Sequence, residues 1–251
     1  MKRLISTIAL LTLTVFTVVA RPAKKYDVYL LIGQSNMAGR GYLTDEDKKE
    51  VVDGVFLLGP EDTPVPATHP FNQYSTIRKH IGMQQMGPGY SFAKVMKQHS
   101  KRPILLVYNA KGGTTIAEWG EGTEFFNEAV RRTLEAKKFG KLKGIVWHQG
   151  CGDSGSRVDT YMESLKAMVS ALRRDLKASK VPFIAGELPY WRPTSENFNK
   201  MIRTISDNIP NSAWVSAEGC GMRAEPKDPH FSREGQIILG ERYAEKMLQM
   251  K

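Results

Sequence analysis

Three side chains have the types and the setting that ester chemistry needs. Ser35 ends an apolar run and sits between amides in Gly33-Gln34-Ser35-Asn36, with glycines again at positions 39 and 41. A serine hydroxyl is a weak nucleophile until a base lies within hydrogen-bond reach. Far downstream, Asp228-Pro229-His230 places a carboxylate two residues from an imidazole. At that spacing the carboxylate can hold the ring in the tautomer whose other nitrogen accepts the serine proton. Two further segments offer donors for an oxyanion. Gly112 and Gly113 let backbone N–H groups turn toward a ligand with no side chain in the way, and Gln149 carries two amide N–H groups. Each signal alone also has an ordinary structural reading: a helix cap at Ser35, a tight turn at the glycines, a capped loop before Ser232.

Other tempting groups carry less. His148 and Cys151 suggest a thiol–imidazole pair or a metal ligand set, but neighbouring strand residues point to opposite faces and no further ligand cluster accompanies them. Cys151 and Cys220 are the only cysteines and form no CxxC, which argues against a zinc site or a disulfide scaffold.

The chemistry requires elements that bring these distant positions together. Strand-like apolar runs at 28–32, 104–108, 144–147, 183–187 and 213–216 alternate with helical segments at 90–99, 122–138, 158–178, 195–208 and 233–249. A short extra strand fits 54–58. Continuous apolar strands suit a parallel sheet covered on both faces. In the 158–178 segment, Tyr161, Leu165, Met168, Leu172 and Leu176 recur at three- and four-residue steps and form one buried stripe. The expectation is one α/β domain, a three-layer α/β/α sandwich with a parallel sheet of about five strands. Ligands of such sheets bind beyond the carboxyl ends of the strands. Ser35, Gly112, Gly113, Gln149 and His230 all follow such ends. The irregular stretches 40–53 and 59–88 are long enough to shape a pocket.

Lys2 and Arg3 precede an apolar run from Leu4 to Ala20, so residues 1–20 read as a signal peptide and 21–251 as the exported domain, without stable membrane insertion after cleavage. Losing Lys2 and Arg3 lowers the formal charge of +10 by two. The remaining lysines scatter through helices with no basic-aromatic module, so no nucleic-acid partner is expected. Export would also permit a Cys151–Cys220 disulfide, the alternative being two buried thiols.

The segments GQSNMAGRG (33–41), GPGYSFAKVM (87–96), KGGTTIAEW (111–119), WHQG (147–150) and DPHFSREGQIILGERYA (228–244) together resemble the SGNH hydrolases. Within them the chain looks most like the sialate O-acetylesterase-type domain and the family six carbohydrate esterases, which include acetylxylan esterases. The resemblance implies a flavodoxin-like sandwich, Ser35 as nucleophile and His230 as base. It also implies an oxyanion hole from the Ser35 N–H, Gly113 (or Gly112) and Gln149. Gln34, Asn36, Gly112 and Trp119 then become candidate substrate contacts, with Tyr190, Trp191 and Arg192 further candidates for stacking on sugar rings. No metal or organic cofactor is needed. Relatives commonly read HQGE where this chain has Cys151, which moves the acid role to Asp228, with Asp153 as competitor. The expected activity is removal of acetyl groups from an acetylated carbohydrate, either xylan or sialic acid type. The alternatives are a catalytically weak glycan-binding protein and a lipid or small-ester esterase.

Overall fold

The apolar run before Ser35 forms the middle of the sheet. The computed structural model describes residues 25–224 and 227–250. Their seven strands form one sheet: β1 (Tyr26–Gly33), β2 (Val51–Leu58), β3 (Pro64–Thr68), β4 (Ile104–Ala110), β5 (Gly140–His148), β6 (Phe183–Gly186) and β7 (Ser212–Val215). The helices are α1 (Ser35–Ala38), α2 (Asp45–Lys49), α3 (Gly89–Gln98), α4 (Glu124–Phe139), α5 (Val158–Asp175), α6 (Ser195–Ile202), α7 (Ile205–Asn208) and α8 (Arg233–Gln249). The expected leader at 1–20 lies outside the described residues.

Along the sheet the order is β3-β2-β4-β1-β5-β6-β7. The five strands expected from sequence take the order second, first, third, fourth, fifth, which is the flavodoxin-like arrangement. The sheet is larger than the expected five strands: the short extra strand read at 54–58 is part of β2, and β3 adds a seventh strand at the edge. β2 runs parallel to β4, and β3 pairs with β2 antiparallel, which makes the sheet mixed. Pro64 and Pro66 disguise β3 as loop, yet an edge strand tolerates residues that cannot donate to a ladder. The single helix expected over 195–208 is two, α6 and α7, joined through Arg203 and Thr204.

Successive residues of β1 face opposite layers. Val28, Leu30 and Ile32 join a core with Phe126 of α4, Leu165 of α5 and Phe198 of α6. Tyr29 and Leu31 join a second core with Phe92 of α3 and Leu239 and Tyr243 of α8. All five stripe residues of the 158–178 segment are buried, none more than 1% exposed. Truncating one of them, such as Leu165→Ala, would cost about 2–5 kcal/mol. Among the described residues no helix is long and apolar enough to cross a membrane.

Candidate active site

The parallel strands deliver their following loops to one edge of the sheet, and the turn after β1 is the tightest of them. Gly33 has φ +139°, and a Cβ there would lie 2.2 Å from the His148 carbonyl oxygen. Only glycine lets the end of β1 pass so close to β5. Gln34 is extended, its N–H donating to His148 O at 2.9 Å, and α1 begins at once with Ser35. The result is a strand–turn–helix elbow with the serine at its point. The Gln34 side chain accepts from the N–H groups of Gly150 and Cys151, both at 2.9 Å, and so fastens the β5 loop to the elbow.

Asn36 fastens the other side. Its amide donates to Pro229 O at 3.1 Å and accepts from the Phe231 N–H at 3.2 Å, bracketing His230. His230 Nε2 then lies 3.1 Å from Ser35 Oγ, and Nδ1 lies 2.7 Å from Asp228 Oδ1. A carboxylate only accepts, so Nδ1 carries the proton and Nε2 is the acceptor for the serine hydroxyl. Asp228 Oδ1 also accepts from the His230 N–H at 3.0 Å, and Oδ2 accepts from Arg223 Nε at 2.7 Å. Burial pushes the Asp228 carboxyl up, but Arg223 and the donors of His230 outweigh it and hold the group below the usual carboxylate range. Burial lowers the His230 pKa, helped by Arg223 and Arg40 and only partly opposed by Asp228. The ring therefore stays neutral, as a base must.

A cavity of about 330 Å³ opens over Ser35 and His230. Gly112 and Gly113 both line it. Gly112 is the one against the nucleophile: a Cβ on it would lie 3.2 Å from Ser35 Cβ, whereas one on Gly113 would meet only Lys79 Nζ at 3.3 Å.

Several expected site residues lie elsewhere. Gln149 is 1% exposed and does not line the cavity. Its Nε2 donates to Thr114 O at 2.8 Å and to Asp153 Oδ2 at 2.7 Å, and its Oε1 accepts from Tyr161 OH at 2.8 Å. Both amide hydrogens are thus committed, and Gln149 braces the glycine loop instead of facing an oxyanion. Asp153 also accepts from the Ile116 N–H at 3.0 Å, so this competing acid is turned away from His230. Trp119 is fully buried, with its indole N–H on Thr114 Oγ1 and its ring edge-on to Trp147, and it cannot stack on a sugar. Trp191 donates to Asp228 O at 2.7 Å and supports the histidine loop. Tyr190 is exposed but bonds Glu187; of this group only Arg192 lines the cavity.

The two cysteines are free. Cys151 packs against the core on the α5–α6 side of the sheet, and Cys220 belongs to the core on the α8 side, so of the two readings the separate thiols hold and no disulfide joins them. Burial raises both thiol pKa values, that of Cys220 to about 11.

Arg40, Lys79 and Met83 line the cavity without having been singled out in the sequence. Arg40 lies between the two glycines after the elbow, and Lys79 and Met83 come from the irregular 59–88 stretch. Among the described residues, one group of potential metal ligands, Asp47, Glu50 and His69, lies outside the cavity lining. Arg233 and Lys94 already pair with its carboxylates.

The profile of a family described as "Carbohydrate esterase, sialic acid-specific acetylesterase" matches residues 25–249. A protein of Arabidopsis thaliana described as a probable carbohydrate esterase is 27% identical over 240 residues, covering 87% of this chain and 89% of its own. The X-ray structure of an Arabidopsis thaliana protein superposes with TM-score 0.77 at 24% identity, covering 90% of this chain and 98% of the other. A carbohydrate acetylesterase from Xanthomonas citri has TM-score 0.63 at 18% identity, over 87% of this chain and 55% of that one. These two superpositions concern the fold. The match across residues 25–249 concerns the sequence itself, and by it the chain belongs to this family of carbohydrate esterases.

Proposed function

We propose that this protein is a serine O-acetylesterase acting on acetylated sugars. The observation that carries the reading is the hydrogen-bonded chain Ser35–His230–Asp228, of which Ser35 and His230 line the cavity. In the first step Ser35 Oγ attacks the ester carbonyl while His230 Nε2 takes its proton, and Asp228 stabilises the imidazolium that results. The carbonyl electron pair moves onto oxygen and is received by the N–H groups of Ser35 and Gly112. Collapse breaks the bond to the sugar oxygen, which leaves with the proton from His230. Water, activated by the same histidine, then releases acetate from Ser35.

The cavity lining favours one class of sugar. It includes Arg40, Lys79 and Arg192 and no Asp or Glu. A substrate with its own carboxylate, such as acetylated sialic acid, matches that charge better than neutral acetylated xylan, in keeping with the family's description. The apolar run 4–20 behind Lys2 and Arg3 supports placing the activity outside the cytoplasm. A binding-only role gains nothing from Cys151, since Asp228 supplies the carboxylate.

The test is acetate release from O-acetylated sialic acid, acetylated xylan and a triacylglycerol, each beside a Ser35→Ala control. The proposal requires release from a sugar that vanishes in the control. Release from the lipid alone, or undiminished release by Ser35→Ala, would overturn it.

A further inference from the structure

The side chain expected to complete the oxyanion hole is occupied, and a different one is free beside the nucleophile. Gln149 spends both amide hydrogens on Thr114 O and Asp153. Arg40 is only 4% exposed, yet it lines the cavity, and no carboxylate pairs with it among the described residues. Its Nη1 donates to Gly39 O at 2.6 Å, which fixes the plane of the guanidinium. Among the described residues no acceptor meets its Nη2. A Cβ on Gly112 would lie 2.7 Å from that Nη2 and 3.2 Å from Ser35 Cβ, so the cation and the nucleophile meet over the same glycine.

Burying a cation without a counter-charge is costly. Among the described residues no carboxylate compensates it, and a negative charge develops beside it when an ester carbonyl becomes tetrahedral at Ser35. A preorganised donor of this kind favours the transition state over the ground state, which is the condition for catalysis.

We infer that Arg40 is a catalytic residue whose Nη2 donates to the oxyanion formed on Ser35, the place expected for Gln149. The inference rests on Ser35 being the nucleophile. The Ser35 Oγ–carbon bond forms, the serine proton passes to His230, and the carbonyl π pair becomes the oxyanion lone pair. Arg40 donates a hydrogen bond and transfers no proton. Its pKa, lowered to about 10 by burial and by Arg223, leaves it charged throughout the working range of His230.

The experiment uses 4-nitrophenyl acetate, which has no anionic group, so a role limited to binding a substrate carboxylate would leave it unaffected. Arg40→Met should lower kcat by about 10²- to 10³-fold. KM should stay within about threefold, because the lost interaction is made only in the transition state. A methylboronic acid adduct, which is tetrahedral and anionic on Ser35, should weaken by a similar factor. The acid limb of kcat/KM should also move to higher pH, since Arg40 no longer opposes protonation of His230. A purely structural role for Arg40 would leave the boronate affinity relative to acetamide unchanged, whereas the midpoint reports only the loss of its charge near His230. If Arg40→Met does not fold, Arg40→Lys, which keeps the charge but loses the planar fork, is read by the same boronate-to-acetamide ratio, and an unchanged ratio overturns the inference. Near-normal kcat in folded Arg40→Met with an active wild type removes Arg40 alone. A wild type blind to boronate, with activity surviving in Ser35→Ala, removes the nucleophile assignment and this inference with it.

Discussion

Replacing Asp228 with asparagine keeps its size and changes only what its two outer atoms can do. In the wild type Oδ1 accepts from His230 Nδ1 at 2.7 Å and from the His230 N–H at 3.0 Å, while Oδ2 accepts from Arg223 Nε at 2.7 Å. Every group facing the carboxylate is a donor. An asparagine must turn its NH2 toward one side. Toward Arg223 it meets a guanidinium that cannot accept. Toward His230 it meets the backbone N–H and forces Nδ1 to become the acceptor. The second arrangement puts the ring proton on Nε2, facing Ser35 Oγ, where the base has to be free. The corresponding change in a serine protease costs about 10⁴-fold in kcat, or ~5 kcal/mol of transition-state stabilisation. The same order is expected here for Asp228→Asn, since each group facing the carboxylate is a donor. The assay is kcat for acetate release at saturating ester, with circular dichroism and a thermal melt to establish folding. A folded Asp228→Asn variant within about tenfold of wild type would refute the reasoning and return the acid role to another group.

The kcat/KM profile should rise with pH along a single limb whose midpoint lies below the ordinary histidine value, since burial depresses His230 more than Asp228 raises it; a midpoint at or above pH 7 would contradict this. Stability should fall as the medium is acidified. His69 and His148 are buried, with pKa values lowered to about 4 and about 3, so below pH 6.5 the unfolded chain binds protons that the folded one refuses. Each should cost about 2 kcal/mol of stability by pH 5, to be seen as a fall in urea midpoint between pH 7 and pH 5 that His148→Gln reduces. Asp153→Ala should lower the melting temperature, reflecting about 1–3 kcal/mol from the lost acceptor for Gln149 and the Ile116 N–H, both of which donate to Oδ2. It should leave the pH midpoint of activity in place; a moved midpoint would mean that Asp153 communicates with His230 after all.

The parts legible in the sequence are those that depend on local pattern. β1 reads as a central strand because residues 28–32 are all apolar and all fully buried, and the α5 stripe reads correctly because its spacing matches the helix period. Ser35 stands out because it falls just beyond β1, and Asp228 and His230 because they pair a carboxylate with an imidazole in the connection from β7 to α8, on the edge where a parallel sheet gathers its loops. The misreadings concern partners that only the tertiary structure supplies. Gln149 has the right donors, but Thr114 O, Asp153 and Tyr161 claim its whole amide. Trp119 looks available for a sugar because nothing in its neighbourhood reveals that Trp147 packs edge-on against it. Cys151 and Cys220 both follow strand ends, but the sheet stands between the cores they join. β3 is hidden by Pro64 and Pro66, whose missing donors matter only in a strand paired on both sides. Arg40 was overlooked for the opposite reason: an arginine between glycines reads as a solvated turn, and only the fold buries it beside Ser35.

The most direct measurement is covalent labelling of the intact protein with an organophosphonate, followed by peptide mass spectrometry. A serine activated by His230 at 3.1 Å should take up one phosphonyl group, on Ser35, with loss of esterase activity in proportion. The labelling rate should follow the same acid limb as kcat/KM. Modification at Cys151 or another serine with activity lost, or no modification of an active protein, would contradict the account.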